Sequence, residues 1–336
     1  MMNTDPKQTH VLILSGGLSH ERDVSLRSGN CVANILKDSG YQVSIGDVDT
    51  KLLETIARES PDVVWPLIHG AEGEDGSLQD LLELLGVAYV GTSADGCRLA
   101  SRKSVAKSVL QKSWIPTQPF ALLPHTLFRQ LGARGILAAI ERSLGFPLVV
   151  KPDDGGSALG VSVIDGPDQL PAAMVSCFAY SDYALLERAV TGREVAISVI
   201  DIDNQPQALP PVEIVADGPY DYDARYNTGR TEYFTPARLH EELANNVKEL
   251  AVAVHQVLGL RHISRVDVMI DEDDRPWVID INVAPGMTET SLFPQAVAKS
   301  VGNAIYGKIV EAALRDAQQV QQQREEAGRA ARPEHD

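Results

Sequence analysis

ISRVDVMIDEDDRPWVIDINVAPGMTETSL, residues 263 to 292, holds two strand-like runs around one polar turn. In the first run Val266, Val268 and Ile270 fall on one face and Arg265, Asp267 and Met269 on the other, which is the two-residue period of a strand. The polar cluster Asp271 to Arg275 with Pro276 turns the chain. Trp277 to Asn282 then alternates again, so that Val278, Asp280 and Asn282 share a face. Paired as a hairpin, the two runs bring Asp267, Asp280 and Asn282 together as oxygen ligands. Magnesium takes such ligands and is usually held by one or two carboxylates plus substrate phosphates. The alternative is a hairpin whose acids simply face water. Against it stand the apolar neighbours, among which an unpaired charge is costly to bury, and the turn Ala284-Pro285-Gly286, which brings backbone N–H groups and Ser291 toward the same place.

Outward from this stretch, 336 residues with 44% apolar content are enough for two or three compact domains with their own cores. Thirty basic against forty-six acidic residues give a formal net charge of -16, which disfavours nucleic acid or an anionic membrane as the main partner. An anionic ligand then needs a local basic site or a metal. Cys31, Cys97 and Cys177 lie far apart without CxxC or His/Cys ligand spacing and read as reduced thiols. The start, MMNTDPKQTH, has no basic region followed by an apolar one, and no apolar run reaches spanning length. A soluble cytoplasmic protein is expected.

From the N-terminus, His10 to Leu14 reads as a buried strand feeding the glycine turn Ser15 to Asp23, with Ser19 as cap of a helix through Leu36. That is the opening of a nucleotide-fold βαβ unit, although GxGxxG is absent. Glu21, near the positive end of the helix, is either a fixed carboxylate for a ligand ammonium or an ordinary first-turn acid. Val43 to Asp47 and Val63 to Ile68 read as strands, the second ending in His69-Gly70-Ala71-Glu72-Gly73-Glu74-Asp75-Gly76, at the carboxyl end where open parallel sheets place ligands. His69 there is more simply a hydrogen-bonding residue than a catalyst. Leu78 to Leu85 reads as a helix and Val87 to Val90 as a strand, closing one α/β unit.

A helix is expected over Gly96 to Gln111 with Lys103 inside it, then a strand ending in Lys151-Pro152. Asp153 to Gly160 is a glycine-rich loop returning into Val161 to Ile164; it either folds over phosphates, with Lys151 as the cation, or is a flexible hairpin turn. It is no Walker loop, since GxxxxGK[ST] does not occur. Ala184 to Glu187 ends a strand and Gly192 to Val195 opens the next, either an edge that holds adenine through its backbone or a plain hairpin. Asp217 to Thr235 shows little periodicity and alternates aromatic with charged residues, as lids and binding loops do; Arg225 and Tyr226 are its candidates for reaching a ligand. Leu239 to Leu258 is an amphipathic helix with His255 on its core face, and a further helix is expected from Leu292 to about Arg315. The tail from Gln318 has few apolar residues and reads as a frayed helix or disordered.

Laid out in order, these motifs resemble the D-alanine–D-alanine ligase family of the ATP-grasp superfamily over roughly residues 8 to 315. The resemblance rests on Gly16-Gly17 through Glu21 and Val24-Ser25, His69-Gly70 through Gly76, Lys151-Pro152 through Gly160, Tyr220-Asp221-Tyr222 through Tyr226, Arg265 with Asp267, and Asn282 with Pro285-Gly286-Met287-Thr288. It implies an α/β (α+β) ATP-grasp fold behind a Rossmann-like pre-ATP-grasp domain: residues 1–100, a central subdomain 101–190, a C-terminal subdomain 191–315 and a polar tail 316–336. It also implies ATP-dependent joining of two D-alanines through an acyl phosphate for peptidoglycan precursors, by a cytoplasmic homodimer with no nucleic-acid or membrane partner. A ligase for another amino-acid pair and a nucleotide-binding relative without ligase activity are the other readings.

By position, the resemblance implies phosphate contacts from Lys103, Lys151 and Arg225, and adenosine contacts from Glu187, Arg188, Val190 and Glu194. Asp267, Asp280 and Asn282 hold two magnesium ions, for which Mn2+ can substitute. Glu21 takes the first substrate's amino group in a set with Ser157 and Tyr226. Arg265 and backbone N–H groups near Gly286 face the tetrahedral intermediate, and Ser291 takes the second substrate's carboxylate. The segment Tyr220 to Tyr226 is expected to be a lid over the water-sensitive acyl phosphate. Five departures from the family pattern stand out: Asp280 for glutamate, Arg225 for lysine, Ala158 for serine, Val283-Ala284 for Thr-Ser, and Asp80 for a small residue.

Overall fold

The computed structural model of the protein describes residues 5–216 and 230–330. Chain order alternates strand and helix at first: β1 (His10–Leu14), α1 (Arg22–Asp38), β2 (Gln42–Gly46), α2 (Leu52–Glu59), β3 (Val63–Pro66), α3 (Ala71–Glu74), α4 (Ser77–Leu84) and β4 (Ala88–Tyr89). These strands form a parallel sheet in the order β2-β1-β3-β4. The central strands β1 and β3 are buried on both faces, as an apolar VLIL run requires when helices cover a parallel sheet on each side, whereas the edge strand β2 is partly exposed.

The expected helix Gly96 to Gln111 is instead two, α5 (Ala94–Ser101) and α6 (Lys103–Lys112), broken at Arg102, where the backbone is extended. The break has a local cause. The carboxylate of Asp153 accepts the Ser104 N–H at 2.7 Å and the Arg102 Nε–H at 2.9 Å, capping α6 from outside and placing Lys103 at its first turn. The next unit runs β5 (Phe120–Pro124), α7 (His125–Leu131), α8 (Ala133–Leu144), β6 (Leu148–Pro152), β7 (Ser162–Ile164), α9 (Leu170–Phe178) and β8 (Tyr183–Arg188), an antiparallel sheet ordered β5-β8-β6-β7.

A second antiparallel sheet, ordered β12-β11-β9-β13-β14 with β10 beside β9, is built from β9 (Arg193–Ile202), β10 (Gln205–Ala208), β11 (Val212–Ala216), β12 (Thr231–Phe234), β13 (Ile263–Ile270) and β14 (Pro276–Asn282). Because β8 and β9 lie in different sheets, a plain hairpin between them is excluded. Within the segment expected to be irregular up to Thr235, Thr231–Phe234 is a strand paired to β11; Tyr220, Asp221, Tyr222, Arg225 and Tyr226 lie outside the described residues. Helix α10 (Glu241–Val257) covers one face of this sheet, packing Leu243, Val247, Ala251 and Val254 with Val266, Val268 and Ile270. On the other face α11 (Leu292–Ala298) and α12 (Ala304–Ala330) join Ile200, Ile214 and Ile263 in one core with β1, β3 and α1 of the parallel sheet. Fully burying such a Val, Leu or Ile contributes about 1.5–3 kcal/mol.

Two expectations at the C-terminus are corrected. The helix after Leu292 is interrupted around Gly302, and α12 does not end at Arg315 but continues to Ala330, the helical one of the two readings given for the tail. Arg315 pairs with Asp203 at 2.8 Å and Asp316 with His262 at 3.1 Å, which ties the helix to the turns beside β9 and β13 as far as Asp316.

Gly192, at the entry to β9, approaches the Ile270 carbonyl so closely that a Cβ there would lie 1.8 Å from its oxygen. Gly192→Ala is therefore expected to destabilise the fold by about 1–3 kcal/mol. Urea denaturation measures it, and an unchanged midpoint would show that the β9–β13 edge can spread.

Candidate active site

The hairpin β13–β14 sets the register Arg265 opposite Asn282 and Asp267 opposite Asp280, then shifts between Asp267 and Val268 so that Val268 faces Val278. Ile279 is the extra residue. This bulge corrects the expected common face for Val278, Asp280 and Asn282: Val278 is buried against α10 in the core, whereas Asp280 and Asn282 line the cleft on the opposite side. A bulge turns a strand's side chains by one position and so can re-aim a functional residue. Without it Asp280 would point into an apolar core.

Asp267 is buried and takes two parallel hydrogen bonds from Arg265, Nε to Oδ1 at 2.7 Å and Nη2 to Oδ2 at 2.8 Å. Asp280 sits 3.0 Å from the Lys103 ammonium, which also donates to the Gly155 carbonyl at 3.1 Å. Among the described residues, no group of three or more His, Cys, Asp or Glu could hold a metal unaided. Two carboxylates in register with an amide oxygen still fit a hard cation whose remaining ligands are phosphates and water. Here each carboxylate is charge-compensated by a basic side chain.

One cavity is lined by Glu21, Ser157, Arg265, Asn282, Gly286 and Ser291, together with His69, Glu74 and Tyr233. A second, lined by Lys151, Glu187, Arg188, Val190, Glu194 and Met269, shares Lys103, Gly155, Gly156 and Asp280 with the first. The expected site residues within the described chain thus meet in two joined clefts, apart from Asp267, which stands behind Arg265. Gly155 and Gly156 form the wall between the clefts. The loop carrying them is anchored at its start, where Asp153 caps α6 and Asp154 accepts the Ser181 hydroxyl at 2.5 Å.

Glu21 is the residue at which α1 begins, and Ser19 is not the cap expected. The Ser19 hydroxyl accepts the Glu21 N–H at 3.1 Å and donates to the His69 carbonyl at 2.6 Å, joining the two loops. The buried Glu21 carboxylate accepts the hydroxyl of Ser157, which comes from the glycine-rich loop. Gly70 and Gly156 make room for it, since a Cβ on either would lie 3.0 Å from a Glu21 oxygen. Burial first, and then the Glu21 charge, push the Glu74 carboxyl up to about 8. His69 bonds to the Ser28 hydroxyl at 2.9 Å, and Ser28 accepts the Met287 N–H at 3.1 Å, so His69 braces the turn that carries Gly286. The Ser291 hydroxyl accepts the Thr288 N–H at 3.0 Å in that same turn.

Sequence reasoning missed Asp153, Glu74 as a wall of the first cleft, and Lys107. Of the departures, Asp80 is paired with Arg98 at 2.6 Å, and Val283 is buried in the core beneath the hairpin.

Two family profiles match the chain, "D-ala D-ala ligase N-terminus" over residues 48–92 and "D-ala D-ala ligase C-terminus" over residues 109–314. The chain belongs to the D-alanine–D-alanine ligase family. It is 37% identical over 306 residues to the D-alanine–D-alanine ligase of Pelotomaculum thermopropionicum, covering 90% of this chain and 96% of that one. It is 36% identical over 304 residues to the ligase of Geobacter sulfurreducens, covering 90% and 92%. The structure of the Bacillus anthracis D-alanine–D-alanine ligase is similar with a TM-score of 0.80 at 28% identity, covering 93% of this chain and 99% of that one. A second structure of that ligase, complexed with ATP, gives 0.77 at 26% identity over the same shares. These neighbours have the ATP-grasp fold, as this ligase does.

Burial pushes the His69 imidazole down to about 4 and does the same to His255 on α10. Between about 4 and 6.5 the unfolded chain takes up protons that the folded chain refuses, so these two histidines remove stability as pH falls through that window. NMR titration of the folded ligase is expected to place both imidazole midpoints near 4; midpoints near 6.5 would contradict their burial.

Proposed function

We propose that this chain joins two D-alanines into D-alanyl-D-alanine, converting ATP to ADP and phosphate, for peptidoglycan precursor synthesis. The observation that carries the assignment of residues is the pair of clefts sharing Lys103, the glycine loop and Asp280. Their linings suit a nucleotide on one side of the loop, where Lys103 and Lys151 meet apolar walls, and two amino acids on the other, where Glu21, Arg265 and Ser291 face the cavity.

In this reading residues 1–100, 101–190 and 191–315 are the three domains, working in a cytoplasmic homodimer. No helix of the described residues is long and apolar enough to cross a membrane. Glu194, with the backbone around Arg188 and Val190, receives adenosine. The Glu187 carboxylate is already engaged by Lys151 at 2.6 Å and Lys107 at 2.8 Å, so its part is to hold Lys151 beneath the phosphates. Asp267, Asp280 and Asn282 would hold magnesium, with Mn2+ able to substitute; when bound, such ions offset the charge of the transferring phosphoryl group.

Glu21, steadied by Ser157, takes the ammonium of the first D-alanine and turns its carboxylate toward the γ-phosphate. Phosphoryl transfer to that carboxylate replaces a poor leaving group with phosphate. The amine of the second D-alanine, its carboxylate held at Ser291, then attacks the acyl carbon and phosphate departs. Arg265 and the N–H groups around Gly286 face the oxyanion that forms, a contribution usually worth about 3–4 kcal/mol per donor. Tyr226 joins the Glu21 set and Arg225 the phosphates by their place in the sequence.

ADP formation by the purified protein with ATP and magnesium is expected to rise with D-alanine and not with L-alanine; equal response to both would contradict the substrate assignment. Asp267→Asn removes the carboxylate charge but keeps an amide oxygen to accept one of the two Arg265 N–H groups, which alanine would not. It is expected to fold normally and to lose about 100-fold or more in kcat. Undiminished turnover would remove Asp267 from the cation site.

A further inference from the structure

Beneath the nucleotide cleft lies a buried basic group, met above only as a partner of Glu187, to which no role has been given. Lys107, on α6, is only 4% exposed. Its ammonium pairs with Glu187 Oε2 at 2.8 Å and donates to the Gln118 amide oxygen at 2.8 Å and to the Thr117 hydroxyl. Two hydrogen bonds and one ion pair thus surround the ammonium. A lysine this deep is costly unless fully satisfied, and a structural role alone could be filled by an apolar side chain of similar length.

Two lines lead from Lys107 toward the site. Through Glu187, whose other oxygen holds Lys151 at 2.6 Å, it reaches the lysine that lines the nucleotide cleft. Through Thr117, whose hydroxyl donates to the Val278 carbonyl at 3.2 Å, it reaches β14 just before the bulge. Lys151 itself donates to the Ile279 carbonyl at 3.1 Å, at the bulge residue next to Asp280. Both carbonyls that frame the bulge are therefore tied to the same buried set. The charges matter as much as the geometry. Lys151 with Glu187 alone is a neutral pair, whereas sharing the carboxylate with Lys107 leaves one net positive charge beneath the cleft. Burial pulls the Lys107 ammonium down to about 8 against the attraction of Glu187, and the two ammoniums outweigh burial in holding the Glu187 carboxyl below its usual range.

We propose that Lys107 is a positioning residue for ATP: it shares Glu187 with Lys151, so that Lys151 keeps its charge for phosphate, and it steadies the β14 bulge through Thr117. This rests on the ligase reading for the identity of the nucleotide, and it adds a role for a side chain that no nucleotide has to touch.

The test compares Lys107→Met, which keeps length without charge, and Lys107→Gln, which keeps a hydrogen-bonding group, with the unaltered protein. Binding of a non-hydrolysable ATP analogue with magnesium is followed by calorimetry, and KM for D-alanine by ADP release. The expected result is about tenfold weaker analogue binding with KM for D-alanine within about twofold. In a double-mutant cycle with Glu187→Gln, the Lys107 substitutions should then cost little more, because the carboxylate through which they act is gone. A crystal structure of either variant should show the Lys151 ammonium displaced from the Ile279 carbonyl. Unchanged analogue affinity, equal weakening toward both substrates, or full additivity with Glu187→Gln overturns the proposal. If Lys107→Met does not fold, Lys107→Gln and the structure of that variant decide it. Failure of the unaltered protein to bind the analogue at all would instead overturn the ligase reading, and the position of Lys151 in the variant structure would still judge Lys107.

Discussion

Asp267 and Asp280 stand directly opposite each other on neighbouring strands, and like charges so placed repel unless positive charge lies close by. Much of the surrounding structure answers that requirement. Arg265 clasps Asp267 from the same strand, and Lys103 reaches Asp280 from the first turn of a helix. The basic residues that balance the hairpin are also those facing the space where phosphates and a developing oxyanion are expected. A pair of acids that needs cations, set beside cations that can serve an incoming anion, is an arrangement ready to exchange partners when a triphosphate arrives with its own metal.

The apolar half of the hairpin makes this possible. Val266, Val268, Ile270 and Val278 pack with the helix Glu241–Val257, so the strand pair is fixed from below while its other face stays polar. The single extra residue at Ile279 lets the same strand put Val278 into the core and Asp280 into the cleft. A bulge leaves backbone groups without ladder partners, and here the carbonyls of Val278 and Ile279 are taken by Thr117 and Lys151. The defect in the ladder and the binding of the cleft lysine are one feature.

Elements whose periodicity is set by local burial were legible from sequence: the strand His10–Leu14, the strand Ile263–Ile270 and the helix Glu241–Val257 fall within a residue or two of expectation. The residues that compact motifs marked as candidates, such as Glu21, Lys151 and Asn282, do come to line the joined clefts. What escaped depends on partners distant in the chain. The break at Arg102 follows from a carboxylate 51 residues away. The last helix is tied down at Arg315 and Asp316 by pairs with Asp203 and His262, which no window along a polar tail can register. The bulge at Ile279 is invisible because PWVIDIN alternates acceptably without it, and Lys107 looks like any solvated helix lysine until Glu187 is brought beside it by the sheet. Family resemblance supplied Asp280 as a candidate ligand; only the register shows how it comes to face the cleft.

The direct measurement is anomalous diffraction from crystals of the protein with an ATP analogue and Mn2+ in place of magnesium. The account predicts manganese peaks between the nucleotide's phosphates and the side-chain oxygens of Asp267, Asp280 and Asn282, with Lys103 moved off Asp280 and onto the phosphates. Manganese bound elsewhere, with Lys103 still on Asp280 and the nucleotide in place, would contradict it.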